Sequence, residues 1–172
     1  ALVRAADQSG VITVNLLFTM VYDVPGRVRA LPGFYGLSMR LPVPVLMKQL
    51  AFEIPSLRKL GILYDPKNNN DFIAAATAAG VDMNLSIRPV TVSSSRAIPR
   101  ALSGAWEDID ALWYIPDQTT VSESLIPYVI KQALIHQKGV IGFNRFFYKS
   151  GAAWAFVFDY DAIGCQAAEL AY

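Results

Sequence analysis

The sequence predicts an α/β fold: an open, mostly parallel five-stranded sheet with helices on both faces. Three observations lead there. Short apolar runs of strand length alternate with longer stretches of helix-like apolar spacing from residue 42 onward. The best-defined run, Ala111-Leu112-Trp113-Tyr114-Ile115, is apolar throughout and too short for a helix, as a strand buried on both faces would be. Each run is followed by turn residues and then by a helix start, the repeating unit of such sheets.

In order, residues 1–8 read as the last turns of a helix ended by Ser9-Gly10, and 11–18 as a strand. Asp23, Pro25, Gly26 and Pro32 mark irregular backbone, and the glycines of 33–39 suit a connection crossing between two lobes. The expected division is 1–35 as tail of an N-terminal lobe with its crossover, and 36–172 as a C-terminal α/β lobe. Pro42 and Pro44 suit a helix's first turn, and Val45, Leu46, Gln49, Leu50 and Ile54 give its apolar stripe up to Pro55. A strand over 59–64 closes at Asp65-Pro66, and a helix over 72–79 stops at Gly80. Strand 84–92, a serine loop and helix 97–106 follow, then strand 111–115 and helix 123–137. Strands are expected over 139–143 and 153–158, the second strongly alternating, and Asp161 is expected to cap a last helix running to Tyr172.

Composition narrows the functional classes. About half of the 172 residues are apolar, enough for a sizeable core, and a net charge of +1 gives no general attraction to nucleic acid or anionic membranes. The longest apolar stretch, 11–21, is broken by Thr13, Asn15 and Thr19 and falls short of the ~20 residues that span a bilayer. Cys165 is alone, so no internal disulfide forms, and it reads as a small buried residue on a helix. Ala1 is not an initiator Met, and the chain begins as if cut from something longer. No phosphate loop, dinucleotide fingerprint or nucleophile elbow is present. The single His136 stands near a helix end among Lys131, Gln132, Gln137 and Lys138, where the helix dipole favours it as a solvated residue. Nothing calls for a cofactor or a metal.

Parallel strands deliver their carboxyl ends to one edge, where ligands of open α/β sheets gather. Asp65, Ser93, Ser94, Asp117 and Asn144 each stand just past a strand end. The same residue types suit helix starts, and Ser93–95 and Asn68–70 read first as caps. Asp117 is the strongest candidate for contact with a ligand, because Thr120 and Glu123 fit a capping box and leave its carboxylate spare. Gln118 adds an amide in the same loop. Phe143, Phe146 and Phe147 flank a loop rather than occupying mid-strand positions, and would line an apolar pocket with Asp117 and Asn144 as its polar groups. Arg145 would pair a ligand carboxylate, or stand exposed with no such role. Trp154, Phe156 and Phe158 share one strand face and read as core.

The ordered set of motifs resembles a family. Its pieces are Leu60-Gly61-Ile62-Leu63-Tyr64-Asp65-Pro66-Lys67-Asn68, Val90-Thr91-Val92-Ser93-Ser94-Ser95 and Asp110-Ala111-Leu112-Trp113-Tyr114-Ile115-Pro116-Asp117. After them come Gly151-Ala152-Ala153, Phe158-Asp159-Tyr160 and Gly164-Cys165-Gln166-Ala167-Ala168-Glu169-Leu170-Ala171. Together they are similar to the substrate-binding components of ABC transporters related to proposed tryptophan-uptake proteins, built on the type I periplasmic binding fold. The resemblance covers roughly residues 33 to 172.

It implies a two-lobed receptor that closes around a small amino acid-like solute, with an aromatic one the finer expectation that the family suggests, and hands it to a membrane permease outside the cytoplasm. Asp117 matches the family's Asp after the third strand, suited to a ligand amine. Asn144 matches a polar residue of the next loop, and Ser38 falls on the Gly-x-Ser-like stretch Gly36-Leu37-Ser38 near the first crossing. Most of the family's first lobe, with a Thr-containing loop, and its final crossing segment have no counterpart here, and the Asn144-Arg145-Phe146-Phe147 loop is bulkier than the family's. Two other readings stay open on the residues alone: the effector domain of a transcription regulator of this fold, and an α/β enzyme of sugar or nucleotide metabolism.

Overall fold

The structure, a computed structural model, describes residues 16–22, 24 and 33–171. The helix expected over 1–8 and most of the irregular stretch over 20–32 lie outside these residues. The chain forms two compact units, one of residues 42–157 and one drawn from 1–41 and 158–172. The expected division fell at 35/36. The contacts place it at 41/42, and residues 158–172 group with the N-terminal strands rather than with the α/β unit.

In the smaller unit, β1 (Leu16–Val21) pairs in parallel with β2 (Phe34–Ser38). The short extended stretch expected to connect two lobes is thus a strand of this unit over Phe34–Ser38. Gly36 lies opposite Phe18, and a Cβ there would collide with the Phe18 carbonyl and ring. That close approach, rather than turn formation, explains this glycine. Register shifts between Phe18 and Val21, where Met20 takes a positive φ of 60°.

The larger unit begins with α1 (Val43–Glu53), β3 (Lys59–Tyr64), α2 (Pro66–Asp82) and β4 (Ser86–Thr91). It continues through α3 (Ile98–Ser103), β5 (Ala111–Tyr114), α4 (Leu125–Ile135), β6 (Gly139–Gly142), α5 (Arg145–Lys149) and β7 (Trp154–Ala155). In the smaller unit, α6 (Tyr160–Ala171) packs on β1 and β2. The five strands of the larger unit are all parallel, in the order β4-β3-β5-β6-β7. The chain steps outward from β3 to β4, then returns to the other side of β3 with β5. Strand order thus reverses between β3 and β5, the switch point at which open α/β sheets leave a crevice.

Two cores cover the two faces. Leu63, Leu112, Tyr114 and Val140 point to one, with Ile98 and Leu102 of α3 and Ile126, Val129, Ile130 and Ala133 of α4. Leu60, Ile62, Trp113 and Ile141 point to the other, with Met47 and Leu50 of α1 and Phe72, Ile73 and Ala76 of α2. Central strands buried on both faces need apolar residues at every position, which is why β3 and β5 read as unbroken runs.

Several local expectations change. The alternating stretch 153–158 pairs over two residues only, because Phe158 already belongs to the other unit. Trp154 is 43% exposed, while Phe156 packs on Trp113 with ring centroids 5.9 Å apart. Asp159, not Asp161, caps α6, its Oδ1 accepting from the Ala162 N–H at 3.0 Å. Cys165 is exposed rather than buried, since α6 turns only Ala167 fully inward. His136 caps the end of α4 and stacks on Trp106 at 5.4 Å.

Beyond His136, Gln137 takes φ 57° while the Lys138 N–H reaches back to the Ala133 carbonyl at 2.8 Å. This is the left-handed helix end that glycine fills without strain. Gln137→Gly is expected to raise unfolding free energy by roughly 0.5 to 1 kcal/mol. Urea denaturation checks it, and a loss of stability contradicts the reading of this turn.

Candidate functional site

The loops after β3 and β5 meet at the switch point, and a buried carboxylate joins them. Asp117 is 5% exposed. Its Oδ2 accepts from the Asp65 N–H at 2.9 Å and from Asn69 Nδ2 at 2.8 Å. Its Oδ1 accepts from the Thr119 N–H at 2.8 Å and from Asn68 Nδ2 at 3.1 Å. Two donors on each oxygen occupy the acceptor positions an ionised carboxylate offers.

Asp65 closes the circuit. It is 4% exposed and caps α2, with Oδ1 accepting from the Lys67 N–H at 3.0 Å and Oδ2 from the Thr119 hydroxyl at 2.8 Å. Asn69 also donates to the Pro116 carbonyl at 3.2 Å. Reaching both acceptors breaks the helix locally, and Asn69 sits at φ −136°, ψ 27° inside α2. Three consecutive asparagines in the first five residues of α2 make the helix weak by propensity, and here the amides of Asn68 and Asn69 bond across the switch point instead of capping.

The capping box expected at Thr120 and Glu123 does not form. Thr120 is fully buried, its carbonyl accepts from the Tyr114 hydroxyl, and its own Oγ1 has no hydrogen-bond partner. Ser122 Oγ accepts from the Leu125 N–H instead, at 3.2 Å, as α4 begins. The Asp117 carboxylate is therefore engaged rather than spare, for a reason unconnected with the cap.

The remaining expected residues divide clearly. Asn144 caps α5, with Oδ1 accepting from the Phe146 and Phe147 N–H groups at 3.0 and 3.3 Å. Gln118, Ser93 and Arg145 are exposed. Phe147 is fully buried in the core, its ring 5.0 Å from Tyr114, and Phe143 packs on it at 4.9 Å half-buried. Of the three phenylalanines expected to line a pocket, only Phe146 is exposed, at 44%. The bare Gly142 lets Phe147 seat this closely, since a Cβ at 142 would strike its side chain. Ser38 belongs to the smaller unit, where its hydroxyl donates to the Tyr22 carbonyl at 3.1 Å and accepts from the Arg40 N–H at 3.2 Å. The structure thus bonds Asp65 to Asp117, and adds Asn68, Asn69 and Thr119, which sequence reasoning passed over or assigned to caps.

Electrostatics follow from the donors. Burial alone pushes the Asp117 carboxyl up, but the N–H of Asp65, the Asn69 amide, the N–H of Thr119 and the Asn68 amide together outweigh it and hold the group below the ordinary carboxylate range. Tyr114 is pushed strongly upward, first by burial and then by the Asp117 charge.

A parallel five-stranded sheet with a polar edge at its switch point, accompanied by a second, smaller unit, defines a lobe of the type I periplasmic binding fold. The family model for ABC transporter substrate binding proteins matches residues 37–172. The chain belongs to that family. No curated protein matches it.

Among solved structures it is similar to a conserved domain protein from Vibrio cholerae O1 biovar El Tor, at 24% identity and TM-score 0.69 over 96% of this chain and 58% of that one. It is also similar to an ABC domain in complex with L-Trp from Streptococcus pneumonia, at 21% identity and TM-score 0.59 over 81% of this chain and 47% of that one. A ligand-free, open substrate binding protein with adhesive properties from Clostridium difficile matches at 20% identity and TM-score 0.64, over 78% and 48% of the two chains. The chain spans about half the length of these structures.

Two outcomes are expected from the carboxylate network. Asn69→Ala removes a buried donor to a buried charge and is expected to cost about 1 to 3 kcal/mol in denaturant unfolding. The folded-state carboxyl of Asp117 titrates below its unfolded value, so its stabilisation is complete above about pH 4 and is lost as pH falls through the lower folded value. Asp117→Asn is therefore expected to lower stability at pH 7 and to flatten the acid limb of the stability curve. An unchanged acid limb contradicts the assignment.

Proposed function

We propose that this chain is the solute-binding component of an ABC-type uptake system, working outside the cytoplasm with a membrane permease, and that it binds a small amino acid-like molecule without performing chemistry on it. The observation that carries the reading is the reversal of strand order between β3 and β5, with the polar loops of both strands bonded together at that point. Family membership over 37–172 supports the same class.

The rim offers the chemistry an amphipathic zwitterion needs. Asp65 and Asp117 give the edge negative character beneath the loops, which favours an ammonium group. Gln118, Ser93 and the Asn144 amide supply neutral polar contacts, and Phe146 supplies exposed apolar surface. Arg145, at the start of α5, is the cation suited to a ligand carboxylate. An aromatic amino acid fits this set, as the L-Trp complex of the similar domain suggests.

Titration calorimetry of the intact chain against the twenty amino acids and tryptamine tests the proposal. Binding of at least one aromatic or large aliphatic amino acid is expected, with tryptamine weaker than L-tryptophan. Arg145→Ala is expected to weaken carboxylate-bearing ligands roughly tenfold, leaving thermal stability unchanged. Failure of every amino acid to bind overturns the solute reading, and an unaltered affinity in Arg145→Ala removes that residue from the site.

A further inference from the structure

We infer that Asp117 is a positioning residue, and that the acceptor for a ligand N–H at this rim is the side-chain oxygen of Asn68, whose amide Asp117 orients. The inference rests on the solute-binding reading and names the group that would recognise an amine there.

The argument starts from which atom of Asn68 must face inward. An ionised carboxylate only accepts hydrogen bonds, so the amide atom 3.1 Å from Asp117 Oδ1 has to be Nδ2. The same nitrogen lies 3.3 Å from Thr119 Oγ1, whose proton is committed to Asp65 Oδ2, so this contact too requires a donor from Asn68. Both protons of the amide are then used, and its orientation is fixed without ambiguity. Oδ1 is left on the opposite side, with no hydrogen bond to any described residue, on a side chain that is exposed.

Neither buried carboxylate offers the same access. Asp117 has two donors on each oxygen and is 5% exposed, and a ligand amine would have to displace one of them. Asp65 is 4% exposed and lies under Thr119. A carboxylate behind an amide also polarises it, so that donation by Nδ2 strengthens Oδ1 as an acceptor. The arrangement favours a primary amine or ammonium group at Asn68 and disfavours a carboxylate there.

Two measurements on the intact chain decide the matter. In nitrogen-15 NMR without ligand, the Asn68 side-chain amide is expected to give a pair of exchange-protected signals at pH 7 that collapse towards free-amide behaviour in Asp117→Asn. Persistence of both signals unchanged in that variant overturns the positioning role. In calorimetry with L-tryptophan as probe, Asn68→Ala and Asp117→Asn are each expected to weaken binding roughly tenfold, and the double variant no further than the worse single one. Unchanged affinity in Asn68→Ala overturns the proposal by itself, even where Asp117→Asn does not fold. Where L-tryptophan does not bind, the tightest-binding amino acid of the panel takes its place as the probe with the same outcomes expected; failure of every amino acid counts against the solute reading, and the NMR comparison still decides whether Asp117 holds Asn68.

Discussion

A carboxylate placed where water scarcely reaches survives as an anion only if enough donors converge on it, and Asp117 has four, drawn from the loops that follow two neighbouring strands. Two are backbone N–H groups of Asp65 and Thr119, and two are the amides of Asn68 and Asn69. The group therefore fixes the backbone of its own loop and that of the opposite loop together. Removing the charge would leave several buried donors facing one another, which ties the conformation of this edge to a single ionised side chain.

That constraint explains local features that propensity alone does not. Helix α2 has three asparagines in its first five residues and contains a break at Asn69, both unfavourable in an isolated helix. The amides of Asn68 and Asn69, emerging at the helix start, reach across the switch point from β3 to β5, which accounts for two of the asparagines and for the break. Tyr114, beneath the loop, holds the Thr120 carbonyl and so fixes the chain three residues after Asp117. The two apolar cores on either side of the sheet supply the rigid floor on which this polar layer rests.

Much of the architecture was legible in the sequence because its cause is local. The unbroken apolar runs over 60–64 and 111–115 mark strands buried on both faces, and the alternation with helices marks a parallel sheet. Asp65, Ser93, Asp117 and Asn144 were correctly placed just past successive strand ends, for the same reason. What escaped was long-range pairing. Asn68 and Asn69 look like turn residues until β3 and β5 are known to be neighbours, which brings Asn69 onto Asp117, 48 residues further along the chain. Thr120 and Glu123 satisfy a capping pattern, yet the chain continues past them before α4 begins, so the pattern had no helix to cap. The aromatic cluster misled for a related reason: Phe147 is drawn into the core by a five-residue helix too short to show a period.

The rim thus works as a preformed surface whose buried charges arrange its exposed groups. A crystal structure of the intact chain with a bound amino acid examines that idea most directly. The expected result is a ligand amine within hydrogen-bond distance of Asn68 Oδ1, with all four donors to Asp117 in place. A ligand amine seated on the Asp117 carboxylate, with Asn68 or Asn69 turned away from it, would contradict the account.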